Sequence, residues 1–236
     1  MLDMLLSYIA PHRCSGCGIS GTLLCENCKY DIISEPFAAC AACARGIPNA
    51  SGICAVCKVP YTRAWCVSDR RDQLERLIDN YKFTNARAAN RPLADLLHEY
   101  LPELPSNIVI VPIPTVNSHI RQRGYDHMLL IAQRFGRLRR LPLDTSLRRI
   151  TNTKQRSASA KQRAINAKAA FAYQGMADPE AIYLLVDDVI TTGATVRYAA
   201  KTLLDAGATE VWVASISHQP QDADEKKTKK VSTNRG

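Results

Sequence analysis

With 236 residues, 46% of them hydrophobic, the chain has apolar material for one α/β core and a small appendage, and too little for several large domains. The formal net charge is +9, and 13 Lys and Arg against only two acids, Asp126 and Asp144, fall between Ser118 and Lys168. Such a field suits a polyanion, either nucleic acid or a small ligand with several phosphates, although charge runs also serve simply as solvated surface.

The first ten residues place Leu2, Leu5, Leu6 and Ile9 at helical spacing, but the segment is short and lacks the basic start of a secretory signal. No apolar run reaches the ~20 residues that span a bilayer. The expected localisation is therefore cytoplasmic, where thiols stay reduced and paired cysteines point to metal. All nine cysteines lie in residues 1–66, and eight form the C-x-x-C pairs Cys14/Cys17, Cys25/Cys28, Cys40/Cys43 and Cys54/Cys57. Two thiolates three positions apart turn onto one metal, and two such knuckles complete a tetrahedral site, so eight predict two structural zinc ions. Sequential closure, the first two pairs on one ion and the last two on another, costs least loop entropy; cross-bracing is the alternative. Redox-active dithiols are disfavoured because no thioredoxin-like βαβ unit surrounds the pairs. Cys66 reads as a buried or spare thiol. Gly16, Gly18 and Gly21 spell G-x-G-x-x-G, but no strand precedes them and Cys17 interrupts them, so they read as relief for the metal knuckle.

Beyond Cys66 the pattern becomes periodic. Leu74, Leu77, Ile78 and Tyr81 predict one helix, and Leu93, Ala94, Leu96, Leu97 and Tyr100 a second that opens near Pro92. Residues 108–113 predict a buried strand ending at Pro112 or Pro114. Met128, Ile131, Ala132, Phe135 and Leu138 give a helix within 125–139. A strand over 182–186, a helix over 195–205 closed by Gly207, and a strand over 210–216 follow. Strands alternating with helices predict a parallel sheet. The expected organisation is a Cys-rich module over 1–66, an α/β domain over 67–218 and a polar, charged, disordered tail over 219–236.

The stretch IYLLVDDVITTGAT, residues 182–195, carries the most chemistry. A buried strand runs into Asp187 and Asp188, then into Thr191, Thr192, Gly193, Ala194 and Thr195, which open a helix. Main-chain N–H groups at a helix N-terminus cradle a phosphate monoester, Gly193 lets the chain come close, and the threonine hydroxyls add donors. Two aspartates beside a phosphate would repel it unless they had another task. Accepting hydrogen bonds from a ribose diol is that task, and stabilising an oxocarbenium-like transition state is a related one.

VDDVITTGAT resembles the phosphoribosyl pyrophosphate (PRPP) signature of type I phosphoribosyltransferases. VPIPTVNSHIRQRGY, residues 111–125, resembles the V-P-x-P…R-x-R-G-[FY] segment of the ComF family of competence-related proteins. Gln155, Ser159, Arg163, Asn166 and Phe171 fit that family's spaced pattern, Tyr81-Lys82-Phe83 its Lys-containing segment, and the tandem cysteine pairs its zinc ribbon. Asp126-His127 departs from the usual Asn-Gln, and Ala158 stands where the family has Leu. The resemblance implies a type I phosphoribosyltransferase-like parallel sheet with an N-terminal double zinc ribbon. It implies PRPP bound with Mg²⁺, the loop 191–195 on the 5′-phosphate, Asp187 and Asp188 on the ribose, and Arg121 and Arg123 as partners of the pyrophosphate. Two functions are compatible with it: a transferase of unknown acceptor, and a factor for DNA uptake that contacts single-stranded DNA, with Arg134, Arg137 and Arg139 on the contact surface. The partners the resemblance suggests are PRPP, single-stranded DNA and the competence machinery at the inner face of the membrane. A pure scaffold would leave the sugar-phosphate signature without a use.

Overall fold

A computed structural model describes residues 12–47, 52–84, 86–150 and 171–219. The helically spaced first ten residues, the pattern from Gln155 to Asn166 with Ala158, and all but Gln219 of the expected tail lie outside them. The elements are α1 (Glu26–Ser34), β1 (Arg63–Asp69), α2 (Asp72–Phe83), a 3₁₀ turn (Arg87–Ala89), α3 (Asn90–Tyr100), β2 (Ile108–Pro112), α4 (Asn117–Arg123), α5 (His127–Arg139), β3 (Leu147–Arg149), β4 (Phe171–Tyr173), β5 (Ile182–Ile190), α6 (Ala194–Asp205) and β6 (Glu210–His218).

Four strands form a parallel sheet in the order β1-β6-β5-β2, and β3 and β4 form a separate antiparallel pair. The central strands are buried on both faces, which explains their continuous apolar runs. One face carries α2, α3 and α5, whose Leu74, Leu77, Leu93, Leu96, Ile131 and Phe135 pack with Leu184, Val186 and Trp212 of the sheet. The other carries α6, whose Val196, Ala199 and Leu203 meet Val111, Leu185 and Val213. Edge strand β1 starts at Arg63, so the sheet takes its first strand from the end of the cysteine-rich segment rather than from residue 67 onward. Cys66 sits inside it, buried, and burial pushes its thiol well up.

The Cys module is split between the faces. Cys14, Leu24, Cys28 and Ile32 join the α2/α3/α5 layer, whereas Ala41 and Tyr61 join the α6 layer. Arg76 Nε on α2 donates to the Ser15 carbonyl at 2.6 Å, and Lys29 on α1 reaches Glu99 on α3 at 2.6 Å. Gly16 has a steric role: a Cβ there would stand 2.4 Å from Cys28 Sγ. The G-x-G-x-x-G run therefore serves the thiol cluster.

Phe135 is fully buried between α5 and the sheet. Truncation to Ala should cost about 3–5 kcal/mol, read as a lower urea midpoint, while Leu138→Ala on the solvent side of α5 should shift it by less than about 1 kcal/mol.

Candidate functional site

All four sheet strands run the same way, so the ends of β2 and β5 open onto one edge, the usual ligand edge of a parallel sheet. β5 is longer than the expected 182–186 and takes in both acids, which are 8% (Asp187) and 5% (Asp188) exposed. Successive strand residues point to opposite faces. Asp188 faces the helical layer, where its Oδ2 accepts from Lys82 Nζ at 2.8 Å and from His127 Nε2 at 2.8 Å. Asp187 turns the other way.

Lys82 belongs to the last turn of α2 and His127 is the first residue of α5, so the ion pair joins two helices to the sheet. Arg123, at the end of α4, braces both: its Nε donates to the Lys82 carbonyl at 2.8 Å, and one terminal nitrogen stands 3.0 Å from His127 Nδ1. A guanidinium can only donate, so Nδ1 accepts and the ring hydrogen lies on Nε2, toward Asp188. Asp126 caps α5, accepting from the main-chain N–H of Met128 and Leu129 and from the Thr115 hydroxyl at 2.7 Å. The Asp126-His127 departure thus replaces amide chemistry with a helix cap and a partner for Asp188.

The two acids titrate in opposite directions. Burial would push the Asp188 carboxyl up, but Lys82 and the hydrogen bond from His127 outweigh it and hold the group well below the usual carboxylate range. Burial and then the neighbouring negative Asp188 push Asp187 up to about 8.

Immediately after β5, Thr191 and Thr192 are exposed and Gly193 takes a left-handed φ of 68°. Ala194 N–H leans toward Thr192 Oγ1 at 3.3 Å. Among the described residues, the main-chain N–H groups of Thr191, Thr192, Gly193, Thr195 and Val196 have no hydrogen-bond partner. Asp187, Asp188, the 191–195 turn and, through Lys82 and His127, Arg123 lie about one edge of the sheet. Arg121 is exposed on α4, with no partner among the described residues.

The expected DNA surface is also altered. Arg134 forms a forked pair with Asp95, and Arg139 donates to the carbonyls of Pro102, His98 and Leu101. Only Arg137 of those three remains outward, bonded to its own helix at Gln133.

The eight paired cysteines close sequentially. Cys14, Cys17, Cys25 and Cys28 bring their sulfurs within 4.8 Å of one another, as do Cys40, Cys43, Cys54 and Cys57. Cys17 and Cys25 sulfurs are 3.6 Å apart, and those of Cys43 and Cys54 are 3.7 Å apart. A tetrahedral ion with bonds of about 2.3 Å places its sulfurs about 3.8 Å apart, so the donor sets fit such an ion. Main-chain donors from Cys57 and Val56 draw Cys54 down to about 6, while hydrogen bonds from Cys43 and Cys54 push Cys57 up to about 12. In the first cluster burial raises both, yet N–H groups of Cys25, Cys17 and Gly16 bring Cys14 to about 6, and neighbouring thiols keep Cys28 near about 12. Bunched thiols resist joint ionisation; a dication removes that conflict.

Lys82, His127 and Thr115 were not assigned to the site by the sequence reading. Lys82 had a signal, since it lies in the Tyr81-Lys82-Phe83 segment. His127 is marked by its departure from the usual pair, and Thr115 lies within the VPIPTVNSHIRQRGY segment.

The phosphoribosyl transferase domain family matches residues 140–235. Competence protein F of Haemophilus influenzae is 30% identical over 207 residues, covering 82% of this chain and 90% of that protein. The DNA utilization protein YhgH of Salmonella typhimurium is 29% identical over 218 residues, covering 80% and 94%. A hypoxanthine phosphoribosyltransferase from Staphylococcus aureus aligns over 57% of this chain and 64% of its own, at 12% identity and a TM-score of 0.35, too remote to bear on the site. The fold and the thiol clusters define a phosphoribosyltransferase-like α/β protein with a Cys-rich, metal-binding N-terminal region. The chain belongs to the ComF family of competence proteins. No helix among the described residues is long and apolar enough to cross a membrane.

Between about pH 4, where an ordinary carboxyl ionises, and about pH 8, folded Asp187 keeps a proton that the unfolded chain releases. Stability must therefore fall as pH rises through that window. Asp187→Asn should remove that slope and gain about 1 kcal/mol or more on the wild type between pH 5 and pH 8; parallel urea-midpoint curves would contradict this protonation state.

Proposed function

We propose that the carboxyl edge of the sheet binds PRPP with Mg²⁺ and that the protein uses this site in DNA uptake. The observation that carries the reading is the set of main-chain N–H groups at Thr191, Thr192, Gly193, Thr195 and Val196, unpartnered among the described residues at the positive end of α6, with Thr191 and Thr192 exposed. Thr191, Thr192, Gly193, Ala194 and Thr195 hold the 5′-phosphate. Asp187 and Asp188 take the ribose hydroxyls. Mg²⁺, a hard cation that prefers oxygen, neutralises pyrophosphate charge when bound.

The Lys82–Asp188 pair supports the same reading. It satisfies an anion and a cation internally, and a ligand carrying both hydroxyls and phosphates can give each a new partner. Arg123 stands behind Lys82 as a positioning residue, and Arg121 on the same helix has no partner among the described residues. The C-terminal domain match supports a transferase as the second reading, in which an acceptor displaces pyrophosphate at the anomeric carbon. The names of the two relatives, a competence protein and a DNA utilization protein, favour DNA uptake as the setting. Single-stranded DNA then meets a smaller free basic surface than the charge count implied, since Arg134 is paired with Asp95 and Arg139 with main-chain carbonyls.

We assign zinc to both thiol clusters as a structural ion, because each set offers four sulfurs and no position for water. A chelator strong enough to strip the protein should release about two zinc ions per chain; a preparation grown with zinc that holds none would contradict the assignment.

Calorimetry of the zinc-loaded chain with PRPP and Mg²⁺, with and without single-stranded DNA, tests the function. The wild type should bind, and Asp188→Ala should weaken binding by about 100-fold or more, equivalent to about 2.7 kcal/mol. Undiminished affinity in that variant would remove the acid from the site, and no binding by the wild type would reject the reading.

A further inference from the structure

The phosphate turn does not stand free. Its floor is the main chain of the second thiol cluster. A Cβ placed on Gly193 would lie 3.6 Å from Ala42 Cα and 3.7 Å from the Ala41 carbonyl oxygen. A side chain at 193 would therefore meet backbone, which cannot swing aside as a side chain can. Ala41 and Ala42 are the two residues between Cys40 and Cys43, so their path is set by two thiols turning onto one centre.

That knuckle is anchored inward as well. Cys40 and Ala41 are almost wholly buried, and Ala41 shares an apolar cluster with Val196, Ala199 and Ala200 of α6. Its N–H donates to the Gly52 carbonyl at 3.0 Å, two residues before Cys54. The two halves of the cluster thus hold one short piece of chain, which is pressed against the first turn of α6. The first cluster is placed differently. Cys14 and Cys28 pack on the opposite face with α2, α3 and α5, and their loop is tied to α2 through Ser15 and Arg76.

We propose that the Cys40–Cys43–Cys54–Cys57 centre is the positioning device of the phosphate turn, while the first centre serves only the opposite helix layer. This rests on the sugar-phosphate reading above and adds a division of labour between two like metal sites. With an ion bound, the knuckle keeps Ala41 and Ala42 beneath Gly193, and the left-handed residue holds its neighbours' N–H groups outward. Without it, nothing ties the four sulfurs to one centre, and the floor of the turn shifts. Because binding free energies are reciprocal, a phosphate on the turn must in turn hold the second ion more tightly.

The test uses the zinc-loaded full chain and ribose 5-phosphate as probe, with ribose as the phosphate-free control. A chelator withdraws zinc while pulsed alkylation and peptide mass spectrometry record which cysteines become free. Ribose 5-phosphate should slow exposure of Cys40, Cys43, Cys54 and Cys57 by about tenfold. Cys14, Cys17, Cys25 and Cys28, in the same molecules, should keep their rate, and ribose should change neither. In the reverse direction, Cys43→Ser, checked for retained fold by circular dichroism, should bind ribose 5-phosphate about tenfold more weakly. If ribose 5-phosphate binds but the second cluster loses zinc at an unaltered rate, or the first cluster is the one protected, this inference fails and the sugar-phosphate site stands. If the zinc-loaded wild type binds no ribose 5-phosphate, both fall together.

Discussion

A negative charge kept inside a sheet has to be answered from outside it. Asp188 lies within β5, almost without solvent, and remains a carboxylate because Lys82 and His127 reach it from two different helices. A carboxylate left unpaired in such a place would cost several kcal/mol or take up a proton. The requirement dictates much of the surrounding architecture. α2 must end at the sheet edge to present Lys82, α5 must begin there to present His127, and Arg123 must close α4 where it can steady both. Tyr81 and Tyr125 complete the frame: the Tyr81 hydroxyl donates to the His127 carbonyl at 2.8 Å and the Tyr125 hydroxyl to the Tyr81 carbonyl at 2.5 Å.

The same edge bears an opposite demand beside it. Main-chain donors at the start of α6 have no partners among the described residues, a state that water or an anion satisfies. A carboxylate answered by the Lys82 cation and the His127 N–H, beside a donor row awaiting an acceptor, forms a polarised edge, positive toward the turn and neutralised at Asp188. This polarity fits a ligand that is phosphate at one end and hydroxyl-rich in the middle.

The cysteine-rich segment solves a different problem. Residues 12–47 and 52–62 carry too few large apolar side chains for a core of their own, and thiol clusters take over the role of holding the chain. Each cluster then joins a different face of the α/β core, so the segment wraps edge strand β1 rather than standing apart as a separate bead. That is why β1 begins before the point where the cysteine pattern ends. Cys66 belongs to a strand, and neither its thiol nor its spacing relates to a metal.

Local chemistry was legible in the residues alone. The four C-x-x-C pairs, the periodic faces of α2, α3, α5 and α6, the buried strands and the acid–threonine–glycine turn are short-range patterns. Bond geometry and helical or strand repeats impose them within a few positions. Tertiary structure decided which distant groups meet. It paired Asp188 with Lys82 and His127 across 106 and 61 positions, sent Asp187 to the other face, tied Arg134 to Asp95 and Arg139 to main-chain carbonyls, and brought the turn at Gly193 close to Ala41 and Ala42. Such contacts depend on strand order and on which face of the sheet each helix covers, and neither is written in any local stretch of sequence.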